Sequence, residues 1–297
     1  MSTNGHGPFV EGSAGPRALP DLDERQFVQW TELLQRRTGM VIPPARKSFL
    51  STNLRLRMWE LGCRDYQTYY EQVSRRDGGD EWIVLVDRLT VHETSFFRHP
   101  NSLRLVARLC APGAASRPFL AWSVGCATGE ETYSLAMVLE DACSCHGRES
   151  DYVVAGTDIS LPALRSAHRG RYHIRRLAAI AADFQARYCM PCGDRYFEVS
   201  AALRARVCFG QSNLLEIDRA PFATLDLIYC QNLLIYFDRQ QRECVMKGLV
   251  ERLAPGGVLV LGPGEIAGWS CAGVQRIRFE DVLAYRRVSA SAAKEIQ

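Results

Sequence analysis

The chain has 297 residues and a mass of 33.3 kDa, enough for two domains at about 150 residues each. A content of 47% hydrophobic and 23% charged residues excludes a wholly disordered or collagen-like chain. Lys+Arg 36 against Asp+Glu 33 leaves +3, too weak a balance to argue for a nucleic-acid partner, and no apolar run approaches the ~18 residues of a spanning helix.

Residues 1–20 are rich in Gly and Pro and read as a flexible tail without the apolar core of a secretory signal. Asp21 or Asp23 then caps a helix with Phe27, Trp30 and Leu34 on one face, and Gly39 suits its end. A second helix follows Pro43-Pro44 with Leu50, Leu54, Met58 and Leu61 as its stripe. Asp65 caps a third bearing Tyr66, Tyr69, Tyr70 and Val73. After a break at Gly78-Gly79, Trp82, Leu85, Val86 and Leu89 mark a fourth. The first third is therefore a small helical bundle.

The pattern changes after Pro112-Gly113. Strands at 119–124, 152–156, 225–229 and 258–261 alternate with helices at 130–145, 161–168 and 239–253, and 282–285 reads as a last strand. Such alternation predicts an α/β, doubly wound parallel sheet. Short β-prone pieces between Arg187 and Phe209 interrupt the rhythm and predict a small antiparallel insert leading into a sheet strand. Eleven cysteines in a chain without a signal fit reduced thiols and a cytoplasmic location. Cys143/Cys145 and Cys189/Cys192 are close pairs, but no second pair at finger-like spacing accompanies them, so no metal is expected.

Gly125-Cys126-Ala127-Thr128-Gly129-Glu130-Glu131 lies between the first strand and its helix, where open α/β sheets bind ligands. Its G-x-x-x-G spacing is neither the dinucleotide fingerprint nor a P-loop. Two glutamates at the helix start repel a pyrophosphate and tolerate a cation. Asp158, ending the second strand, can accept hydrogen bonds from both hydroxyls of a ribose. A positively charged nucleoside without phosphates describes S-adenosylmethionine; the plainer reading is an acidic pair that only complements the helix dipole. His92-Glu93-Thr94-Ser95-Phe96-Phe97-Arg98 joins the two halves, and two exposed Phe beside an Arg would be odd in a plain linker. Tyr229 to Phe237 puts Asn232 and Tyr236 at the end of the fourth strand. Their spacing differs from the Asn-Pro-Pro-Tyr box of amide-nitrogen methylases, which counts against methylation of bases.

Together these blocks, with Thr157-Asp158-Ile159-Ser160, Ser212-Asn213-Leu214-Leu215 and Leu253-Ala254-Pro255-Gly256-Gly257, resemble the CheR family of chemotaxis-receptor glutamate O-methyltransferases over about residues 21–288. The resemblance implies a helical domain at 21–91, a linker and connecting helix at 92–116, and a Rossmann-like methyltransferase domain at 117–288. The insert lies at about 187–209 and a tail at 289–297. It implies that Thr94, Arg98, Glu131, Asp158, Asn213, Leu214 and Asn232 contact S-adenosylmethionine or its product S-adenosylhomocysteine, in a pocket that also includes Gly125, His92 and Gln231. By the same resemblance, Arg98 and Tyr236 would lie closest to the methyl group. His92 stands where Asn is common and Gln231 where Arg is common. Gly262-Pro263-Gly264-Glu265 replaces a frequent Gly-His-Ser-Glu. These departures resemble the type IV pilus-associated, PilK-like branch.

The implied reaction is methylation of receptor glutamates to methyl esters in chemosensory adaptation. The implied partner is the cytoplasmic coiled coil of methyl-accepting chemotaxis receptors. The other readings are a methyltransferase of another substrate and a binding regulator without catalysis. Arg46, Lys47, Arg55, Arg57 and Arg64 concentrate positive charge on the second helix, matching an acidic receptor in sign; the alternative is a solvated helix face. The insert's Cys189-Met190-Pro191-Cys192-Gly193-Asp194-Arg195 is short and has one glycine, so docking on a receptor's pentapeptide tail is not expected. Neither nucleic-acid binding nor membrane insertion is expected.

Overall fold

The computed structural model describes residues 21–75, 79–110, 117–144, 152–222, 224–266 and 268–288. The expected tails, the breaks at Gly78 and Pro112-Gly113, and Cys145 lie outside these residues. The chain divides into two compact units, one through Leu33 with Ile42–Leu85, the other Leu34–Val41 with Val86 onward.

The first unit is helical. Helix α1 (Glu24–Thr38) starts where the Asp23 carboxylate accepts the Gln26 N–H at 2.7 Å, while the Gln26 side chain accepts the Asp23 N–H. Helix α2 (Lys47–Glu60) follows a single 3-10 turn at Pro44–Arg46, where proline suits a helix start. It buries Leu50, Leu54 and Met58 at four-residue spacing. Leu61 falls past the last turn and is exposed, so the stripe is one residue shorter than the spacing suggests. Helix α3 (Tyr66–Ser74) is capped by Asp65, which accepts the Thr68 N–H at 2.8 Å. It turns Tyr69 and Tyr70 against Trp30, with ring centroids 5.4 and 5.2 Å away. Helix α4 (Gly79–Leu89) begins at Gly79 itself.

The second unit opens with α5 (Pro100–Leu109). It continues through β1 (Phe119–Val124), α6 (Glu130–Ser144), β2 (Tyr152–Asp158), α7 (Leu161–Arg169), β3 (Arg171–His173), α8 (Ala182–Tyr188), β4 (Cys189–Cys192), β5 (Tyr196–Val199), α9 (Ala201–Arg204), β6 (Val207–Gln211), β7 (Leu225–Cys230), α10 (Arg239–Arg252), β8 (Leu253–Leu261), β9 (Val274–Phe279) and β10 (Val282–Arg287). Seven strands form one sheet in the order β6-β2-β1-β7-β8-β10-β9, parallel from β6 to β8, with β10 antiparallel to both its neighbours.

Both faces of this sheet are covered, so its central strands are mostly apolar and alternate residues enter two cores. Leu227, Tyr229, Val258 and Val260 join α5 and α6 on one side. Ile228, Cys230, Leu259 and Leu261 join α10 on the other. A second sheet, β3-β5-β4, is antiparallel. Its first strand, Arg171–His173, lies ahead of the segment marked in the sequence; it is three residues long and buries only Tyr172, so it carries no periodicity to read. β9 is also new. Its burial pattern has no clean alternation, and it exists because β10 offers a free edge. No disulfide joins the described cysteines; the Cys110 and Cys143 sulfurs share a 3.5 Å contact in the core, and Cys192 donates to Glu198.

Candidate active site

The strand order reverses between β1 and β7, and the crevice at their carboxyl ends is where such sheets bind ligands. The loop after β1 turns sharply there. Gly125 has φ +73°, a conformation that favours glycine, and a Cβ on it would fall 2.9 Å from Leu233 Cδ2 and displace that side chain. The Gly125 and Cys126 N–H groups both donate to the Thr157 carbonyl, and the Ala127 N–H donates to Asp158 Oδ2 at 2.9 Å. Asp158 Oδ1 accepts the Ser160 N–H, also at 2.9 Å. The carboxylate thus ties the two loops together and keeps lone pairs for a further donor. Burial pushes its pKa up, against those backbone bonds.

Glu130 and Glu131 open α6. Glu130 is buried and accepts from Thr128 at 2.6 Å. Glu131 accepts from Ser123 Oγ at 2.8 Å. Desolvation pushes the Glu131 pKa from 4.5 up to about 8; Ser123 opposes this, Glu265 adds to it, and Arg98 opposes it. A carboxyl in this state favours a cation beside it.

The segment 92–98 runs along the same unit. His92 Nε2 lies 3.1 Å from the Asp87 carbonyl and 3.0 Å from Thr90 Oγ1, and Asp87 in turn accepts from Ser160, the cap of α7. The Thr94 carbonyl accepts from Arg176 at 2.8 Å. Phe96 and Phe97 are not exposed, contrary to the sequence reading. Phe96 is buried among Tyr172 and Phe197, and Phe97 meets Phe184 while its N–H donates to Ser134. Hydrophobic burial of this pair anchors the backbone and leaves the neighbouring Arg98 at the surface, where its guanidinium donates to the Glu93 carbonyl at 2.8 Å.

The segment after β7 completes the crevice. Gln231 is buried and donates to Ser102 at 2.9 Å and to the Leu261 carbonyl, while its Oε1 has no partner among the described residues. Asn232 has φ +59°, and its Oδ1 accepts from His99 Nε2 at 2.9 Å. Tyr236 is half-buried on the 3-10 turn Leu234–Tyr236, and its carbonyl accepts the Val41 N–H at 2.8 Å. Asn213 caps the turn that contains Leu214, accepting from Leu215, and its amide donates to the Arg37 carbonyl at 2.7 Å. Both ends of that amide are engaged within the protein.

The basic side chains of α2 belong to the first unit. Arg57 is bound to Glu81 at 2.6 Å and to Glu60 at 2.8 Å, and it is mostly buried. Arg55 pairs with Asp21 and Tyr66, and Lys47 with Glu24. Arg46 stacks on Phe49 and remains exposed, as does Arg64.

Residues 92–270 match the family described as "CheR methyltransferase, SAM binding domain", and residues 25–90 match "CheR methyltransferase, all-alpha domain". The chain belongs to the CheR methyltransferase family. It is 30% identical to the chemotaxis protein methyltransferase of Klebsiella aerogenes over 82% of this chain and 84% of that protein. It is 31% identical to chemotaxis protein methyltransferase 2 of Pseudomonas aeruginosa, over 80% and 85%. It is also 31% identical to a probable biofilm formation methyltransferase, WspC, of Pseudomonas putida, over 90% of this chain and 62% of that protein.

As a CheR methyltransferase the protein uses S-adenosylmethionine, and its crevice suits that cofactor. Glu131 is a desolvated carboxyl and Gln231 Oε1 an orphaned buried acceptor; a ligand carrying an ammonium and a sulfonium offers each a donor or a charge. Three contributors escaped the sequence reading. His99 orients Asn232, Tyr172 donates to the Thr128 carbonyl at 2.7 Å and so props the glycine loop, and residues 35–41 grip the segments around Asn213 and Tyr236. Only His99 had a signal, its place beside Arg98.

Proposed function

We propose that the protein methylates glutamate side chains on the cytoplasmic coiled coil of chemoreceptors, forming glutamate methyl esters. The observation that carries this reading is an exposed cation, Arg98, in the same unit as the desolvated Glu131 and acting on it electrostatically. An exposed guanidinium suits an anionic substrate. A buried carboxyl suits a cationic cofactor.

Bound S-adenosylmethionine supplies an electrophilic methyl on a sulfonium. The attacking group is a substrate carboxylate, already ionised at neutral pH with a reference pKa near ~4.3, so no side chain need act as general base. Arg98 holds one carboxylate oxygen and leaves the other to attack, and the Tyr236 hydroxyl orients the nucleophile. Gly125, Asp158, Asn232 and Leu214 shape the adenosyl pocket; Asn213 and His92 hold its walls, and Thr94 fixes the rim through its carbonyl. Neutralisation of charge in the transition state favours a site that excludes water.

Label transfer tests the reading. Tritiated methyl transferred to receptor should be released by alkali, as an ester is. Stable label on RNA or a metabolite, or binding without transfer, overturns it. For docking we propose the basic surface at the two ends of α2, narrowed to the exposed cations Arg46, in the turn before the helix, and Arg64, past its end. Arg46→Glu with Arg64→Glu should raise KM for receptor several-fold, weaken its salt dependence and leave kcat unchanged. Unchanged kinetics would make the patch a solvated surface. Arg57→Glu would instead set like charges against Glu81 and lower stability. The β4–β5 turn is only Gly193-Asp194-Arg195, so a fluorescence titration with a receptor-tail pentapeptide should show no micromolar binding.

A further inference from the structure

The loop Gly262-Pro263-Gly264-Glu265 follows β8 and returns an acidic side chain to the site. Glu265 is 2% exposed. Its Oε1 accepts the Leu234 N–H at 2.9 Å and its Oε2 the Gly262 N–H at 2.7 Å. The N–H groups of Leu233 and Asn232 also favour its ionised form, although burial outweighs them and pushes its pKa up. An isolated carboxyl at this depth would be costly; one that gathers successive backbone donors is compensated.

We propose that Glu265 is a positioning residue, whose carboxylate fixes the backbone of residues 232–234 and thereby the placement of Asn232 and Tyr236 at the crevice. This rests on the methyltransferase reading above and deepens it. Asn232 has φ +59°, a left-handed conformation that asparagine enters more readily than other non-glycine residues and that sets the direction of the chain here. His99 holds its side chain, and the Val41 N–H holds the carbonyl of Tyr236. Between these points the turn bonds Tyr236 N–H to the Leu233 carbonyl and Phe237 N–H to the Leu234 carbonyl, and Glu265 ties the turn to the loop after β8. The approach is close enough to exclude a side chain at Gly262. A Cβ there would lie 2.6 Å from Glu265 Oε2 and 3.0 Å from the Asn232 nitrogen.

The chemistry explains a carboxylate rather than an amide. Two N–H donors on separate strands of chain each need an acceptor. Glutamate offers two acceptor oxygens, whereas glutamine offers one and turns an NH2 toward the other donor. Glu265→Gln should therefore release one anchor while nearly preserving side-chain volume.

The test combines kinetics with hydrogen exchange on the full-length protein. Glu265→Gln should accelerate amide exchange at least tenfold in the peptide spanning residues 231–236 and leave that of α2 and α3 unchanged. It should lower kcat by about 10- to 100-fold, since a displacement near 1 Å can cost that much, with KM for receptor unchanged. Gly262→Ala, which pushes a methyl into the carboxylate but leaves Glu265 in place, should reproduce both effects and serves if the first variant fails to fold. Wild-type local exchange and wild-type kcat in the folded variant would overturn the proposal. So would exchange raised uniformly along the chain, since that marks a purely structural role. The exchange measurement needs no substrate, so local loosening in a protein that transfers no methyl would support the positioning role and remove only the receptor reading.

Discussion

Arg98→Ala should lower kcat for receptor methylation about 100-fold or more, with the melting temperature within a few degrees of wild type. Arg98 is exposed and, among the described residues, donates to the Glu93 carbonyl, so its removal leaves no buried group there orphaned. A charged hydrogen bond to substrate is worth ~1.5–3 kcal/mol, and misplacing the attacking carboxylate adds to that loss. Steady-state kinetics with a receptor fragment, beside a thermal melt, checks both halves. Cofactor affinity should fall less than kcat, because Glu131, Asp158 and Asn232 are untouched. Near-normal kcat would remove Arg98 from the reaction. Arg98→Lys keeps the charge but not the paired donors and should recover only part of the rate.

Glu131→Gln should change how both stability and cofactor binding depend on pH. The folded-state pKa of Glu131 is about 8, against 4.5 for the ordinary group, mainly through desolvation. Between those values the native protein binds more protons than the unfolded chain. The contribution of Glu131 to stability is thus fully present below pH 4.5 and is lost as pH rises through 8, with a slope of up to ~1.4 kcal/mol per pH unit. Glu130, Asp158 and Glu265 are shifted in the same direction, so the melting temperature of the cofactor-free protein should fall from pH 5 to pH 8. Glu131→Gln should flatten that fall and raise the melting temperature at pH 8.

A cation bound beside Glu131 reverses the preference. Binding of S-adenosylmethionine or S-adenosylhomocysteine near pH 7 should release a proton, read as a buffer-dependent heat in calorimetry. Glu131→Gln should abolish the release and weaken binding. A heat that is the same in all buffers for the wild type would place the cofactor's charge away from Glu131.

Much of this protein is written in local pattern. Short apolar runs mark β1, β2, β7 and β8, because a strand covered on both faces is apolar at most of its positions. Asp23 and Asp65 announce helix starts, because a cap bonds within three residues and needs no tertiary help. The acidic pair opening α6 and Asp158 ending β2 follow from the position of loops on an open sheet.

What depends on distant contacts was not legible. Phe96 and Phe97 read as exposed, but they meet rings from β3, β5 and α8, far along the chain. Arg57 read as a docking cation, but Glu81 holds it from another helix. Pro263 and Gly264 read as departures from a motif that Glu265 keeps, but the role of Glu265 shows only where Gly262 and Leu234 bring their N–H groups to one point. The order of residues thus determined the long elements, the caps of α1 and α3 and the family, since these rest on periodicity and near-neighbour bonding. Only the folded chain decided which charges are neutralised, which rings are covered and which carboxyl holds which loop, since desolvation and partner choice arise when segments remote in sequence meet.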